Sequence, residues 1–441
     1  MIFDAALSGL QASTSNLDVI GNNIANSSTV GFKGSRAEFG DIYAFGGYGS
    51  FGAGSTSIGG GVMLTSVQQS FASGNLANST NSLDLAVNGS GFFILNNPGG
   101  GAVYTRAGEF TLNNQNYITN SNGQYLTGLL SDGKGNITGT SGNLQINTAN
   151  ISPQASTTVT TGVNLNSQST PPAVDWTGGS APLSSSYNNP TSLTIYDSLG
   201  NSHVLSMYFI KANPAATSGQ PNASTPAGTD NQWYVAFQID NQNVPPNAGS
   251  DNSSNLFEMN FNTDGTFVSV AGPGASPLTN NLIPLSLNLN NGADPLSLNI
   301  DLTDSTQFGS PFAVQSTSSN GYTTGSLASL NIDDSGLILG IYTNGQSMAM
   351  GQIQLANFAD PSGLQNVGNV CWAQTSASGQ PLIGVGTTGG LGAIKSGMLE
   401  QSNVDLTSEL VDLISAQRDF QANAQSIRAG DAITQTIINM R

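Results

Sequence analysis

One histidine, His203, and one cysteine, Cys371, are all that this 441-residue chain offers of each type. A Ser-His-Asp triad would need His203 as its base. The common zinc sites draw on several Cys and His side chains, so this chain cannot build one alone. His203 stands in GNSHVLSMYF, just past a Gly-Asn turn and entering a strand, where a solvent-facing histidine is expected. Cys371 has no second thiol for an intrachain disulfide and reads as a small buried apolar group. Paired carboxylates suited to glycoside hydrolysis stand at Asp333-Asp334 and at Asp301/Asp304, with Asp251 as a third candidate. The Asp-Asp-Ser-Gly run reads better as a turn, because Asp favours turn positions. Gly47–Gly52 matches G-x-G-x-x-G, but it follows no clear strand and opens no helix, the context that gives the motif meaning. NTDGT and SDGKGN carry a calcium loop's glycine without its series of ligands. The expectation is no catalytic, cofactor-binding or metal-ligating residue, no cofactor, and a protein that is not an enzyme.

Charge narrows the partners. The net charge is −17, and charged residues make up 8% of the chain, against about 25% for an average soluble protein. Nucleic acid needs a basic footprint, and an anionic membrane surface repels such a chain. Neither is expected as a partner. Two of the nine basic residues, Lys33 and Arg36, lie in GNNIANSSTVGFKGSRAEF, a polar hinge near the start. Residues 1–20 lack the basic and continuous apolar regions of a Sec signal. No stretch approaches 18 uninterrupted apolar residues, so no membrane insertion by a helix is expected.

The elements follow from periodicity. Phe3, Leu10, Leu17 and Ile24 recur every seven residues, with Leu7 between the first pair. Leu406, Leu410, Leu413, Phe420, Ala424, Ile427 and Ile438 trace the same 3-4 rhythm. This spacing predicts helices over about 3–25 and 403–438. Ser402 and Asp405 resemble a capping box. Small polar residues fill the first helix, and Gly430 interrupts the second at about 1 kcal/mol relative to Ala. Isolated helices of this quality are marginal in water. The termini are therefore expected to be largely disordered in a monomer and to become helical on assembly. Between them, short β-rich runs alternate with Asp-Gly, Asn-Gly and Ser-Gly turns, which predicts an all-β middle of sandwiches or barrels. Asn88-Gly89 predicts a hairpin in SLDLAVNGSGFFIL. Residues 40–61, 212–230 and 241–255 read as loops. The echo PLSLNLNNGADPLSLNI reads as a repeated strand.

SGLQASTSNLDVIGNNIANSSTVGFKGSRAEF resembles the N-terminal signature of the axial proteins of the bacterial flagellum, the rod and hook family. DLAVNGSGFFIL followed by YTRAGEF resembles the motif of their first β-domain. SNVDLTSELVDLISAQRDFQANAQSIRAGDAITQTIINMR resembles their C-terminal helix, and GQIQLANFADPSGL with SGMLEQSNVDL the segment returning to it. A β-rich middle over about 151–308 looks like the insert of the family's hook branch. The resemblance implies a mainly β fold, with two or more β-rich domains in line and N- and C-terminal helices pairing as an α-helical coiled coil. The implied organisation has a helical inner-tube domain (1–26 and 402–441) and a connector (27–75 and 362–401). An inner β-domain (76–150 and 309–361) carries an inserted outer β-domain (151–308).

The implied function is a structural subunit that polymerises into a curved flexible tube, a universal joint passing torque from rod to filament. The implied partners are further copies of the chain, the distal rod protein, a hook-associated junction protein, the hook cap and the type III export apparatus. The implied place is outside the cell surface, reached without a cleaved signal peptide. Phe3, Leu7, Leu10, Leu17, Ile24, Leu406, Leu410, Leu413, Phe420, Ala424, Ile427 and Ile438 are the expected self-assembly seam. Asn22, Asn23, Asn26, Gly31, Lys33 and Arg36 are hinge and intersubunit candidates, with Lys33 and Arg36 expected to meet acidic or carbonyl groups of an adjacent copy. The competing readings are a distal rod or hook-associated axial protein, and a secreted β-rich carbohydrate-binding protein or glycosidase.

Overall fold

Helix α1 spans Ile2–Ala25 and helix α2 spans Leu406–Asn439, close to the bounds that the 3-4 spacing predicts. Helix α2 starts later than the Ser402 box implies. Asp405 is its cap, its Oδ1 accepting the Ser408 N–H at 2.9 Å and so satisfying one of the free donors of the first turn. Among the described residues, the chain between the helices forms β-structure, turns and two short 3-10 helices, Thr279–Asn281 and Pro361–Gly363. The computed structural model describes residues 2–42, 60–174, 176, 182–213, 230–244, 256–272 and 276–439. The Gly47–Gly52 motif and Asp251 lie outside them, as does most of the predicted loops at 212–230 and 241–255.

The chain divides into two compact units. One comprises residues 1–148, 328–341 and 347–441; the other comprises 149–327 and 342–346. The expected insert ended at 308, but the strand Ala313–Ser319 pairs with Thr158–Asn164 and so belongs to the inserted unit. Chain returns from the insert only after that pairing is complete.

In the first unit, outgoing strands pair with one another and with returning ones. Strand β1 (Ser35–Asp41) pairs antiparallel with β2 (Val62–Gln69), beside α1. Strand β3 (Leu76–Asn78) pairs with Met398–Glu400, and β4 (Leu85–Asn88) with Ala393–Ser396. Strand β5 (Phe92–Asn96) pairs with β6 (Ala102–Thr105), Tyr125–Ser131 and Ser347–Asn357. Strand β6 in turn pairs with Cys371–Ala373. The predicted hairpin at Asn88-Gly89 is therefore not one. A two-residue type I′ turn needs positive φ at both central residues, and here only Gly89 and Gly91 have it. Strands β4 and β5 leave for different sheets. Phe92, Tyr104, Phe358 and Trp372 form the core beside β5, and Phe71 from the outgoing connector packs edge-on against Phe92 and Trp372 at 5.6 and 5.5 Å. Cys371 is buried, and burial pushes its thiol pKa up, which agrees with an inert apolar role.

The second unit is a two-sheet sandwich. One sheet orders Asn189–Tyr196, Ser202–Lys211, Gln232–Ile239, Leu256–Phe261 and Phe267–Gly272; the other orders Leu282–Leu287, Leu296–Asp301, Thr158–Asn164 and Ala313–Ser319. The two PLSLN echoes pair with each other, Leu285 opposite Leu298. Every residue of Gln232–Ile239 is buried. Trp233, Val235, Phe237 and Ile239 face the core between the sheets, while Tyr234 and Ala236 lie under Trp176. Period-2 alternation thus places apolar groups on both covered faces. His203 corrects its solvent-facing expectation. It is buried, because two carboxylates enclose its ring. Asp333 serves a turn, accepting the Ser335 and Leu337 N–H groups, while Asp334 pairs with Lys395.

Close backbone approach fixes some glycines of the first unit. A Cβ on Gly108 would lie 1.6 Å from the Leu85 carbonyl oxygen, whereas a Cβ on Gly139 would meet nothing within 4 Å. Gly108→Ala should therefore destabilise the first unit by about 1–3 kcal/mol through overpacking. Gly139→Ala should change stability by less than about 0.5 kcal/mol. Urea denaturation of the two variants checks the contrast.

Candidate functional site

Two features stand out where outgoing and returning chain meet: a helix pair with large side chains left uncovered, and a buried carboxylate that ties both directions of chain together.

The helices pack antiparallel, with Asn23 against Glu409 and Ser13 against Asn423. Mostly small residues make the contact, with Ile20 the large exception. Ala6, Ser13 and Ile20 of α1 are buried, as are Ala416 and Gly430 of α2. A Cβ on Gly9 would fall 2.8 Å from Asn423 Oδ1, so the backbones approach closely there. The predicted seam residues flank this contact. Leu10, Leu17, Ile24, Leu413, Ala424 and Ile427 are half-buried. Leu7, Leu406, Leu410, Phe420 and Ile438 are exposed, as are Val411 and Ile414. Phe3 has its side chain outside the described residues. Each helix thus covers part of the other's stripe, a partner that local sequence does not reveal, and several large apolar side chains remain in water.

At the hinge, Asn23 works as a staple. Its Nδ2 donates to the Ser35 carbonyl at 2.7 Å and to Glu409 Oε1 at 3.0 Å, and its Oδ1 accepts the Ser35 N–H at 2.9 Å. Asn26 closes the end of α1, its Nδ2 donating to the Asn22 carbonyl at 2.9 Å. Gly31 has φ +70 and donates its N–H to the Glu400 carbonyl at 2.7 Å. Its missing side chain lets Ala107 approach, since a Cβ would lie 2.5 Å from the Ala107 nitrogen. Arg36 is exposed and meets Glu38 at 3.1 Å.

Lys33 corrects its expected role. Its ammonium is fully buried and bonds within its own chain, to Glu400 Oε1 at 2.6 Å and the Ala72 carbonyl at 2.7 Å. A side chain with no solvent access cannot reach a neighbouring copy. Glu400 Oε1 also accepts the Gly74 N–H at 2.9 Å. Its Oε2 accepts from Arg106 Nη1 at 3.1 Å. The same guanidinium donates to the Val87 and Gly89 carbonyls and lies 5.2 Å from the centre of the Phe92 ring. One buried carboxylate therefore joins the hinge, the chain before β3, β4 with its turn, and the residue after β6. Asn403 extends the tie, donating to the Ser70 and Ala72 carbonyls and accepting the Gly34 N–H at 2.8 Å. Burial depresses the Lys33 pKa, with Glu400 opposing the shift, and burial acts in the same direction on Arg106. Glu400, Arg106 and Asn403 escaped the sequence reading. Their only signal was scarcity: two of nine basic residues and one of five glutamates converge here.

Comparison with known proteins identifies this architecture. The family model described as flagella basal body rod protein matches residues 3–33, and the FlgEFG C-terminal model matches 395–440. The flagellar hook protein FlgE/F/G D1 domain matches 86–166, and the FlaE D2 domain matches 164–322. The flagellar hook protein FlgE of Escherichia coli K12 is 37% identical over the full length of both chains. The chain belongs to the flagellar hook protein family. It is a hook subunit, a structural component of the flagellum. The FlgE of Salmonella typhimurium is 35% identical over both full lengths, and that of Borreliella burgdorferi 31% identical over 99% of this chain and 98% of its own. A crystal structure of the Helicobacter pylori flagellar hook protein FlgE2 shares the fold, with a TM-score of 0.50 at 15% identity over 74% of this chain and all of that one. The hook family matches end to end, so the carbohydrate-binding and glycosidase readings lose their support. No helix among the described residues is long and apolar enough to cross a membrane.

Removing one partner of a buried ion pair strands the other charge. Glu400→Gln strands two cations and should destabilise the first unit by about 3–5 kcal/mol. Loss of the exposed Arg36–Glu38 pair in Arg36→Ala should change stability by less than about 1 kcal/mol. Thermal melting followed by circular dichroism compares the two.

Proposed function

We propose that copies of this hook subunit assemble through the exposed apolar side of the paired terminal helices into a curved flexible tube that passes motor torque from rod to filament. The observation that carries this reading is the division of labour on the helices. Mostly small residues make the contact within the chain, and Leu406, Leu410, Val411 and Ile414 on the first turns of α2 stay in water. Fully burying one such side chain contributes about 1.5–3 kcal/mol, so a few per subunit, repeated along a polymer, suffice for stable association. The seam residues Leu7, Phe420 and Ile438 extend the same exposed surface, with Phe3 proposed to join them. Asn22, Asn26 and Arg36 are hinge residues with solvent access and meet neighbouring copies. The chain acts without catalysis or cofactor. Its further partners are the distal rod protein, the junction protein, the cap and the type III export apparatus, and it leaves the cell without a cleaved signal. The rod-like domain matches at both termini support an ancestry shared with the rod.

Leu410→Asp with Ile414→Asp places two carboxylates on the proposed contact while leaving the α1–α2 packing face untouched. Helix content by circular dichroism should match the unmodified chain. Electron microscopy should show no tubes at concentrations at least about tenfold above those at which the unmodified chain polymerises, the equivalent of 1.4 kcal/mol per contact. Tubes at the unmodified chain's concentration would remove α2 from the assembly surface.

A further inference from the structure

His203 is the second residue of the strand Ser202–Lys211 in the sandwich unit. Its Nδ1 lies 2.6 Å from Asp240 Oδ2, and its Nε2 lies 3.3 Å from Asp197 Oδ2. Asp240 stands in the turn after Gln232–Ile239, where Asp240 and Asn241 both have positive φ, and its Oδ1 accepts the Val204 N–H at 2.9 Å. Asp197 stands in the turn before His203. Its Oδ1 accepts the Leu199 and Asn201 N–H groups, and its Oδ2 accepts from Nδ2 of Asn201 at 2.9 Å and of Asn291 at 2.8 Å. Asn291 lies between Leu282–Leu287 and Leu296–Asp301, in the other sheet. The Asp294 N–H of that loop donates to Ser198 Oγ at 2.9 Å. A single imidazole therefore bridges the Asp240 turn and the Asp197 turn, and a loop of the smaller sheet docks on the latter.

A neutral imidazole has one N–H and one lone pair, and an ionised carboxylate only accepts. Here both ring nitrogens face carboxylate oxygens. Imidazolium satisfies both contacts; the neutral ring satisfies one and turns a lone pair toward the other. The 2.6 Å bond to Asp240 is the better placed to keep the remaining proton. The contact that fails is then the one to Asp197, a buried carboxylate that Asn201 and Asn291 hold in place. We propose that His203 is a proton-dependent clip that fastens the Asn291 loop and the Asp197 turn to the Asp240 turn, so that protonation sets how firmly the two sheets of the sandwich are joined at this end.

The electrostatics agree. Burial disfavours the imidazolium, but hydrogen bonds and charge from Asp240 and Asp197 outweigh it and raise the His203 pKa above 6.5. Burial likewise disfavours ionised Asp197, yet hydrogen bonds from Asn201, Asn291 and His203 hold its carboxyl far below the usual range. Asp197 and Asp240 are the charged groups that face the ring among the described residues; the docked loop contributes neutral Asn291. The clip's stabilisation from His203 is fully present below pH 6.5 and is lost as pH rises through the raised folded pKa. That from Asp197 is present above 3.8 and is lost as pH falls through its depressed value.

With one histidine in the chain, a ¹⁵N-histidine-labelled sample of the full protein gives one unambiguous imidazole. The doubly protonated ring should be the majority form at pH 6.5, with a titration midpoint above it. Amide exchange at Ala293 and Asp294, corrected for intrinsic rates, should accelerate across that midpoint. Asp240→Asn should lower the midpoint. A neutral single tautomer at pH 6.5, or loop protection unchanged across the titration, overturns the clip, and both readings come from the unmodified protein.

Discussion

A single buried carboxylate holds the outgoing and returning halves of this hook subunit together. Glu400 stands 367 positions from Lys33 and 294 from Arg106, yet both cations spend their charge on it. Bringing ionised groups out of water is costly unless geometry and further hydrogen bonds offset the loss. Here backbone groups supply them: the Gly74 N–H to Glu400, the Ala72 carbonyl to Lys33, and the Val87 and Gly89 carbonyls to Arg106. Each of those groups belongs to a segment that must be in place for these bonds to form; among the described residues only the buried Arg106 Nε of this network has no partner. The strand pairings of β3 and β4 with 398–400 and 393–396, and the docking of Gly31 on Ala107, surround this one contact. A well-packed apolar cluster would hold the segments with less regard to register; a network with directional bonds admits one arrangement.

That closure lets the helices serve another purpose. With the return of the chain already secured below them, α1 and α2 need little burial between themselves, and they meet through Ala6, Gly9, Ser13 and Ala416. Large side chains such as Leu410 and Ile414 then remain in water. The sandwich unit is stabilised differently, by a wide apolar core in which Gln232–Ile239 is covered on both faces. Its charged cluster around His203 sits at an end of the sandwich rather than at the centre of a chain crossing.

Local patterns were legible in the sequence and long-range ones were not. Seven-residue spacing marked both helices, and alternation marked the β-rich middle, because those signals live within a dozen residues. The Asn88-Gly89 pair misled for the same reason: turn chemistry is local, while strand pairing is decided by distant partners, here Ala393–Ser396 for β4 and Ser347–Asn357 for β5. Lys33 was singled out by its rarity, but its partner lay across nearly the whole chain, and an adjacent copy was the only acceptor that local reasoning could offer. His203 read as exposed because its turn is polar; the carboxylates that bury it come from that turn and from Asp240, 37 positions on.

Native-state hydrogen exchange on the monomeric subunit tests the closure most directly. If Glu400 joins outgoing and returning chain into one cooperative element, the protected amides of β3, β4, Ala393–Ser396 and Met398–Glu400 open with a common free energy. In Glu400→Gln that shared value falls for all four strands together. Protection that persists in β3 and β4 while the returning strands exchange freely, in either protein, contradicts the account.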